Sequence, residues 1–166
     1  MIREVKLSDA EAILNIYNHY ILHTVISFET APLSLQEMCG RIGSISAGHP
    51  YFVCESASSD GSAPRILGYC YAHPWKERAA YNGTWEVTIY LAPDACGHGL
   101  GTELMRHLIC ACRQRGCRAL IGCITYGNDA SIALHVKSGF RKVSHFEKVG
   151  EKFGHVLDVV DYELVL

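Results

Sequence analysis

Residues 84–109 read TWEVTIYLAPDACGHGLGTELMRHLI, and the fold turns on how this stretch divides. The first eight residues (84–91) are large or β-branched and bounded by turn residues, the pattern of a strand. Trp85, Val87 and Ile89 share one of its faces; Glu86, Thr88 and Tyr90 share the other. Pro93 opens a turn, and Gly97, Gly99 and Gly101 follow on alternate positions. Leu100, Leu104, Leu108 and Cys112 then recur at helical spacing until Gly116 stops the helix. A glycine-rich turn entering a helix gathers unpaired N–H groups at the positive end of the helix dipole, roughly half a unit charge, and so favours an anion. Glycine also lacks the Cβ that would hold a phosphate away from the backbone. The same residues would equally serve a tight turn with no ligand.

Two well-known phosphate loops do not fit. No lysine follows the glycines, so the Gly-Lys-Ser/Thr ending of a nucleotide triphosphate loop is missing. The dinucleotide fingerprint spaces its glycines as G-x-G-x-x-G after a first strand, whereas these are G-x-G-x-G after a later one.

Outward from this stretch, a strand at 2–6 precedes Ser8 and Glu11, which read as a capping box opening a helix. Ala12, Ile13, Ile16, Tyr17 and Tyr20 give that helix its core face. Ser34 and Glu37 form a second capping box before a helix carrying Leu35, Met38, Ile42 and Ile45, which ends at "GHP" (48–50). Strands at 51–55 and 65–72 make a hairpin around the polar loop 56–64, and a longer loop spans 73–83. After the glycine segment and its helix come a buried strand at 118–125 and a capped helix in "GNDASIALHVKSGF" (127–140), stopped by Gly139. Residues 140–166 read as two strands around "GEKFGH". The order predicts a single α/β domain over 1–166, with about seven strands in a mixed parallel and antiparallel sheet and about four helices.

Composition narrows the function. At 166 residues the chain can bury a core without staples. Fifteen basic side chains stand against 17 acidic ones and are scattered, which argues against nucleic acid. The N-terminus lacks the apolar stretch of a signal peptide and no run is long enough to span a membrane, so a soluble cytoplasmic protein is expected. Reduced thiols are therefore expected for the eight cysteines. His107 and Cys110 have helical spacing, but no CxxC pair completes a zinc site, so no metal is expected.

The segment "IYLAPDACGHGLGTELMRHLI" resembles the coenzyme A-binding segment of the GNAT N-acetyltransferases, whose pattern is Arg/Gln-x-x-Gly-x-Gly/Ala. The element order is similar to that fold along the whole chain. Within the family, four stretches in order resemble the phosphinothricin and methionine sulfoximine acetyltransferases, also described as L-amino acid N-acyltransferases. They are "IYNHYILHTVISFETAPLS", "WEVTIYLAPD", "GNDASIALHVKSGF" and "VGEKFG".

The resemblance implies acetyl-CoA as co-substrate, a small-molecule amine as acceptor, and a homodimer. It implies that Ile89, Tyr90 and Leu91 pair with the pantetheine arm through their backbone. Gly97, His98, Gly99, Leu100, Gly101 and Thr102 would hold the pyrophosphate, and Asn128 would contact the coenzyme from the next strand–helix junction. Asn128 also suits a helix N-cap with no ligand at all. Glu86 matches the family's glutamate and is the candidate general base; as a bare sequence feature it could be a structural ion-pair partner. His135 is a candidate acid for the departing thiolate, because its imidazole titrates near neutrality; helix packing is the other reading, and Tyr126 is a further candidate. Phe28, Glu29, Arg78, Tyr81 and Lys152 match acceptor-side positions, Arg78 as a bidentate clamp for a carboxylate.

Three departures stand out. Cys96 occupies the Arg/Gln position, which removes a side-chain donor but no backbone amide. Asn82 and Gly83 stand where basic residues or histidine are common, and Val156 where a tryptophan often follows the Lys-Phe-Gly turn.

Overall fold

The computed structural model describes residues 1–57 and 64–166. Its strands are β1 (Ile2–Glu4), β2 (Tyr51–Glu55), β3 (Ile66–Pro74), β4 (Thr84–Leu91), β5 (Ala119–Thr125), β6 (Arg141–Lys142), β7 (Phe146–Lys152) and β8 (His155–Val165). Its helices are α1 (Ala10–His23), α2 (Leu35–Ser46), α3 (Leu100–Gln114) and α4 (Asp129–Lys137). One sheet runs β1-β2-β3-β4-β5-β8-β6, with β7 also on β8. Only β4 and β5 pair in parallel.

The α/β class and mixed sheet agree with the expectation, but the sheet has eight strands, not seven. The difference lies after residue 140, where the two-residue β6 and the longer β7 both pair with β8. A two-residue strand has no period to read in a sequence. Most of the polar loop expected at 56–64 lies outside the described residues.

Alternation along β4 decides the layers. Trp85 and Val87 are buried with Leu104, Leu108 and Cys112 of α3, and Ile89 packs against that cluster. Tyr90 belongs to the opposite layer, with Ile13, Ile16, Met38 and Ile42 of α1 and α2. The sheet is therefore sandwiched between α1–α2 and α3.

Both helix starts near the N-terminus rest on acidic side chains, in different ways. At α2 the expected box forms: Glu37 N–H donates to Ser34 Oγ (3.3 Å), and Ser34 N–H donates to Glu37 Oε2 (2.7 Å). At α1 the Ser8–Glu11 box is replaced by a 3-10 turn, Leu7–Asp9, with the Lys6 N–H donating to Asp9 Oδ2 (2.7 Å). Arg3 grips both Asp9 carboxylate oxygens at 2.8 Å and binds Glu55 as well. A partner six residues back outbids the local serine. On the core face of α2, Met38 and Ile42 are buried but Leu35 is 47% exposed.

Candidate active site

β4 lies against β3 for its whole length after Thr84, from Trp85↔Pro74 to Leu91↔Gly68. Its pairing with β5 stops after three residues, Thr84↔Ala119, Trp85↔Leu120 and Glu86↔Ile121. Beyond Glu86 the two strands part, and a cavity of about 950 Å³ opens between them. Thr88, Ile89, Tyr90 and Leu91 line one wall; Cys123, Ile124 and Thr125 line the other. The parting leaves the β5-facing backbone groups of β4 without a strand partner, which a buried sheet tolerates only where something else supplies one. The Leu91 carbonyl is already engaged, accepting from the Tyr20 hydroxyl at 2.8 Å.

At the far end of β4 the chain turns into the glycine loop. Gly97 and Gly99 both have φ +82°, and a Cβ at either would meet nothing within 4 Å. They are required for their left-handed backbone and for an open surface, not for packing. Gly99 is the N-cap of α3 and no side chain caps it, so the first-turn amides face the cavity end where Gly97, Gly99, Gly101 and Thr102 lie. Leu100 instead packs its side chain between the two core layers, and the His98 side chain is exposed outside the lining. Asn128 closes the site from β5: it lines the cavity, and its Oδ1 accepts from Ser131 N–H at 3.3 Å as the N-cap of α4.

A parted parallel pair with a glycine cradle below it is matched by the profile of the Acetyltransferase (GNAT) family, over residues 13–140. The chain belongs to the GNAT acetyltransferase family. It is 39% identical over 161 residues to a phosphinothricin N-acetyltransferase of Alcaligenes faecalis, covering 96% of this chain and 79% of that one. The phosphinothricin acetyltransferase of Sinorhizobium meliloti, solved in complex with AcCoA, superposes with a TM-score of 0.93 at 33% identity, covering 100% and 88% of the two chains. A ribosomal-protein-alanine N-acetyltransferase of Brucella melitensis superposes with a TM-score of 0.92 at 30% identity, covering 100% and 99%. The protein is thus an acyltransferase of the N-acetyltransferase type, similar to those that act on phosphinothricin.

In this acetyltransferase Glu86 stands at the apex, on the last residue that still pairs with β5. Its side chain is 27% exposed. Burial pushes the carboxyl above the usual carboxylate range and Asp161 adds to this, while His73 opposes it. His73 lies directly across from Glu86 in the β3–β4 register, with Nε2 3.8 Å from Oε1. Cys123 opens onto the same cavity. Desolvation and the nearby Glu86 and Asp161 carboxylates keep its thiol protonated, pushed up to about 12. His73 does not stand out in the sequence, because strand register alone brings it to Glu86.

His135 is among the residues that line the cavity, though its side chain is deeply buried. It is 3% exposed on α4, packed edge-on to Phe140 with its ring against Gly122. Its Nδ1 is 2.8 Å from the Ser131 carbonyl, which can only accept, so Nδ1 carries the proton. Nε2 is left as a bare lone pair with no partner among the described residues, and burial disfavours the imidazolium. These contacts fit the packing reading of His135. Tyr126 is 57% exposed and outside the lining, tilted against His145.

The acceptor-side positions separate into two groups. Phe28 and Glu29 line the cavity, Glu29 being paired with Arg41 at 2.6 Å. Lys152 is 4% exposed, and its ammonium donates to the Ser27 carbonyl at 2.6 Å. It therefore anchors the Phe28–Glu29 loop from β7; desolvation lowers its pKa. Thr125 holds the same loop from the other side, its hydroxyl shared between the carbonyls of Val25 and Ile26 at 3.2 Å. Arg78 and Tyr81 are not brought to the cavity. Arg78 is exposed, and Tyr81 packs edge-on to Trp75 in the segment between β3 and β4. Within one chain the expected carboxylate clamp is out of place, because that segment folds onto its own aromatic side chains.

Cys96, at the Arg/Gln position of the family pattern, turns its Sγ toward the Ala92 carbonyl (3.6 Å) and the Tyr20 hydroxyl (4.0 Å). Among the described residues no group of three or more His, Cys, Asp or Glu side chains is gathered for a metal, and no helix is long and apolar enough to cross a membrane. All eight cysteines are free thiols.

Proposed function

We infer that the chain transfers the acetyl group of acetyl-CoA to the α-amino group of a small amino acid or analogue, of the phosphinothricin or methionine sulfoximine type. The observation that carries this reading is the parting of β4 from β5 immediately after Glu86. It puts a carboxylate at one end of a cavity whose other end is a glycine-lined helix N-terminus. The gap-facing backbone of Ile89 suits the amide-bearing pantetheine arm, with Leu91 contributing its N–H because Tyr20 holds its carbonyl, whereas the Tyr90 backbone faces β3 and would support the arm only from within the strand. The amides of Gly97 to Thr102 suit the pyrophosphate, with Cys96 offering no cation beside them.

The chemistry follows from the residues present. An α-amino group with pKa roughly 8 arrives mostly as ammonium at neutral pH and cannot attack until a proton leaves it. Glu86 takes that proton, directly or through water. The neutral amine then attacks the thioester carbonyl, and the carbon–sulfur bond breaks. A thiol with pKa roughly 8.5 is a good leaving group near neutrality, so the step needs no buried acid in place of His135. Holding amine and thioester in line contributes up to ~7–11 kcal/mol in ideal cases.

The β7–β8 hairpin exposes Phe146, Val149, Phe153 and Val156, an apolar face that supports a homodimer. In that assembly Arg78, or its copy, would supply the carboxylate clamp. A cytoplasmic setting agrees with the eight free thiols.

An acceptor screen with acetyl-CoA, read by free thiol release above the protein's own eight cysteines, tests the reading. Amino acids and their sulfoximine and sulfone analogues are expected to react. One observation favours a second reading: with Arg78 outside the cavity, an amine lacking a carboxylate, such as a polyamine or a protein N-terminus, fits equally. Reaction with those amines alone would establish it. A chain that binds acetyl-CoA yet turns over no amine would be an acyl-CoA sensor.

A further inference from the structure

Glu86 has a partner that the proposed reaction has not used. His73 of β3 faces it across the sheet, and three facts constrain the proton between them. The two residues are directly paired in register, so their side chains leave the same face side by side. The His73 Nδ1 lies 3.0 Å from the Pro74 carbonyl, an oxygen that can only accept, so Nδ1–H is the donor. That leaves Nε2 as the atom turned to Glu86, 3.8 Å from Oε1. A neutral ring fixed in this tautomer presents a lone pair to a carboxylate oxygen. Two lone pairs repel, and a single proton placed between them turns the repulsion into a hydrogen bond.

We propose that His73 is a proton-sharing and positioning residue for Glu86, so that the base of this acetyltransferase is a His73–Glu86 dyad. The inference rests on the reading of Glu86 as the base. In the resting dyad Glu86 is ionised and His73 neutral. The proton that leaves the ammonium breaks its N–H bond and forms an O–H bond at Glu86. It then passes to His73 Nε2, which restores the carboxylate and makes the ring an imidazolium. The charge ends on the more exposed partner, His73 at 32% against Glu86 at 27%, from which water can carry the proton away.

The other groups around the pair do not replace this role. Tyr71 packs beside His73 on β3 with ring centroids 5.8 Å apart, and burial raises its phenol pKa. His49, in the turn before β2, is pushed down chiefly by its own burial. Cys123 on β5 stays protonated, and Asp161 on β8 adds negative charge that favours a proton in the dyad.

The test is the pH dependence of kcat at saturating acceptor, where the free amine's own ionisation drops out. In the wild type the acidic limb belongs to the dyad, whose last proton is shared between a carboxylate and an imidazole nitrogen. In His73→Gln it belongs to a carboxyl alone. The limb is expected to move down by about one pH unit or more, with kcat lowered roughly tenfold or more, toward the low end of a proton-transfer contribution, and KM for acetyl-CoA unchanged. A limb that stays, or moves up as loss of a merely neighbouring cation would make it, overturns the proposal. Nitrogen NMR of the wild-type ring gives a reading free of any variant: a neutral His73 protonated at Nδ1 is required, and one protonated at Nε2 overturns it. Glu86→Gln separates the two levels of inference. Retained turnover removes Glu86 as the base and the dyad with it, whereas lost turnover with an unmoved limb in His73→Gln removes only the dyad.

Discussion

Glu86, the proposed base, is held where burial works against its ionised form. Burial raises its pKa in the folded chain above the unfolded value, so the protonated form is favoured by folding and the ionised form is not. Its contribution to stability is therefore full at low pH and is lost as pH rises through the folded pKa. Glu86→Gln is expected to lower kcat about 10²–10⁴-fold with acetyl-CoA affinity unchanged. The same variant should melt higher than wild type at pH 8 and level with it at pH 4, as scanning calorimetry would show. Cys96 offers the converse case, a residue whose replacement should improve binding. Cys96→Arg places a charge-assisted donor beside the glycine loop and is expected to tighten acetyl-CoA about tenfold, some ~1.4 kcal/mol, by titration calorimetry. Glu86 is picked out in the sequence by the family resemblance, and the glycines by their spacing before a helix. His73 is not picked out, since a residue's neighbour across a strand is fixed by register, which no local pattern prints.

At the scale of elements, the loop between α1 and α2 shows how one wall of the cavity is held without secondary structure. Lys152 ties it to β7 through the Ser27 carbonyl, Thr125 ties it to β5, and the Phe28 ring lies on Gly150. A Cβ at Gly150 would overlap that ring. Gly150→Ala should thus displace Phe28 and raise KM for the acceptor several-fold, leaving KM for acetyl-CoA within about twofold, a split that steady-state kinetics reads directly. The sequence pointed to Phe28 and Lys152 as separate acceptor positions; that one anchors the loop of the other could emerge only from a contact spanning 125 residues. Long helices and long strands came through because their periodicity is strong, as in β4 over 84–91. The 3-10 turn before α1 did not, because Asp9 answers to Arg3 as well as to the Lys6 amide.

For the molecule as a whole, the cluster of Arg3, Asp9 and Glu55 fastens β1 and the start of α1 to the end of β2. Burial alone would raise the Asp9 pKa; the Arg3 and Lys6 hydrogen bonds together outweigh it and hold the carboxyl below its ordinary value. A lowered pKa contributes stability above the unfolded value, near 3.9, and loses it as pH falls through the folded one. Asp9→Asn is expected to cost about 1.5–3 kcal/mol at pH 7, the range for hydrogen bonds to charged groups, with the difference closing toward pH 3 in urea titrations.

The parting of β4 and β5 also decides where the free protein exchanges its amide hydrogens. A sheet interrupted at its centre has backbone donors there that neither neighbour protects. A bound pantetheine arm would lie in the gap much as a missing strand does, and the donor would complete the sheet before the acceptor enters. Hydrogen exchange over residues 87–91 should accordingly slow on adding acetyl-CoA and not on adding amine alone. In kinetic language, the break in the sheet predicts an order of addition, donor first and acceptor second, which that exchange pattern checks.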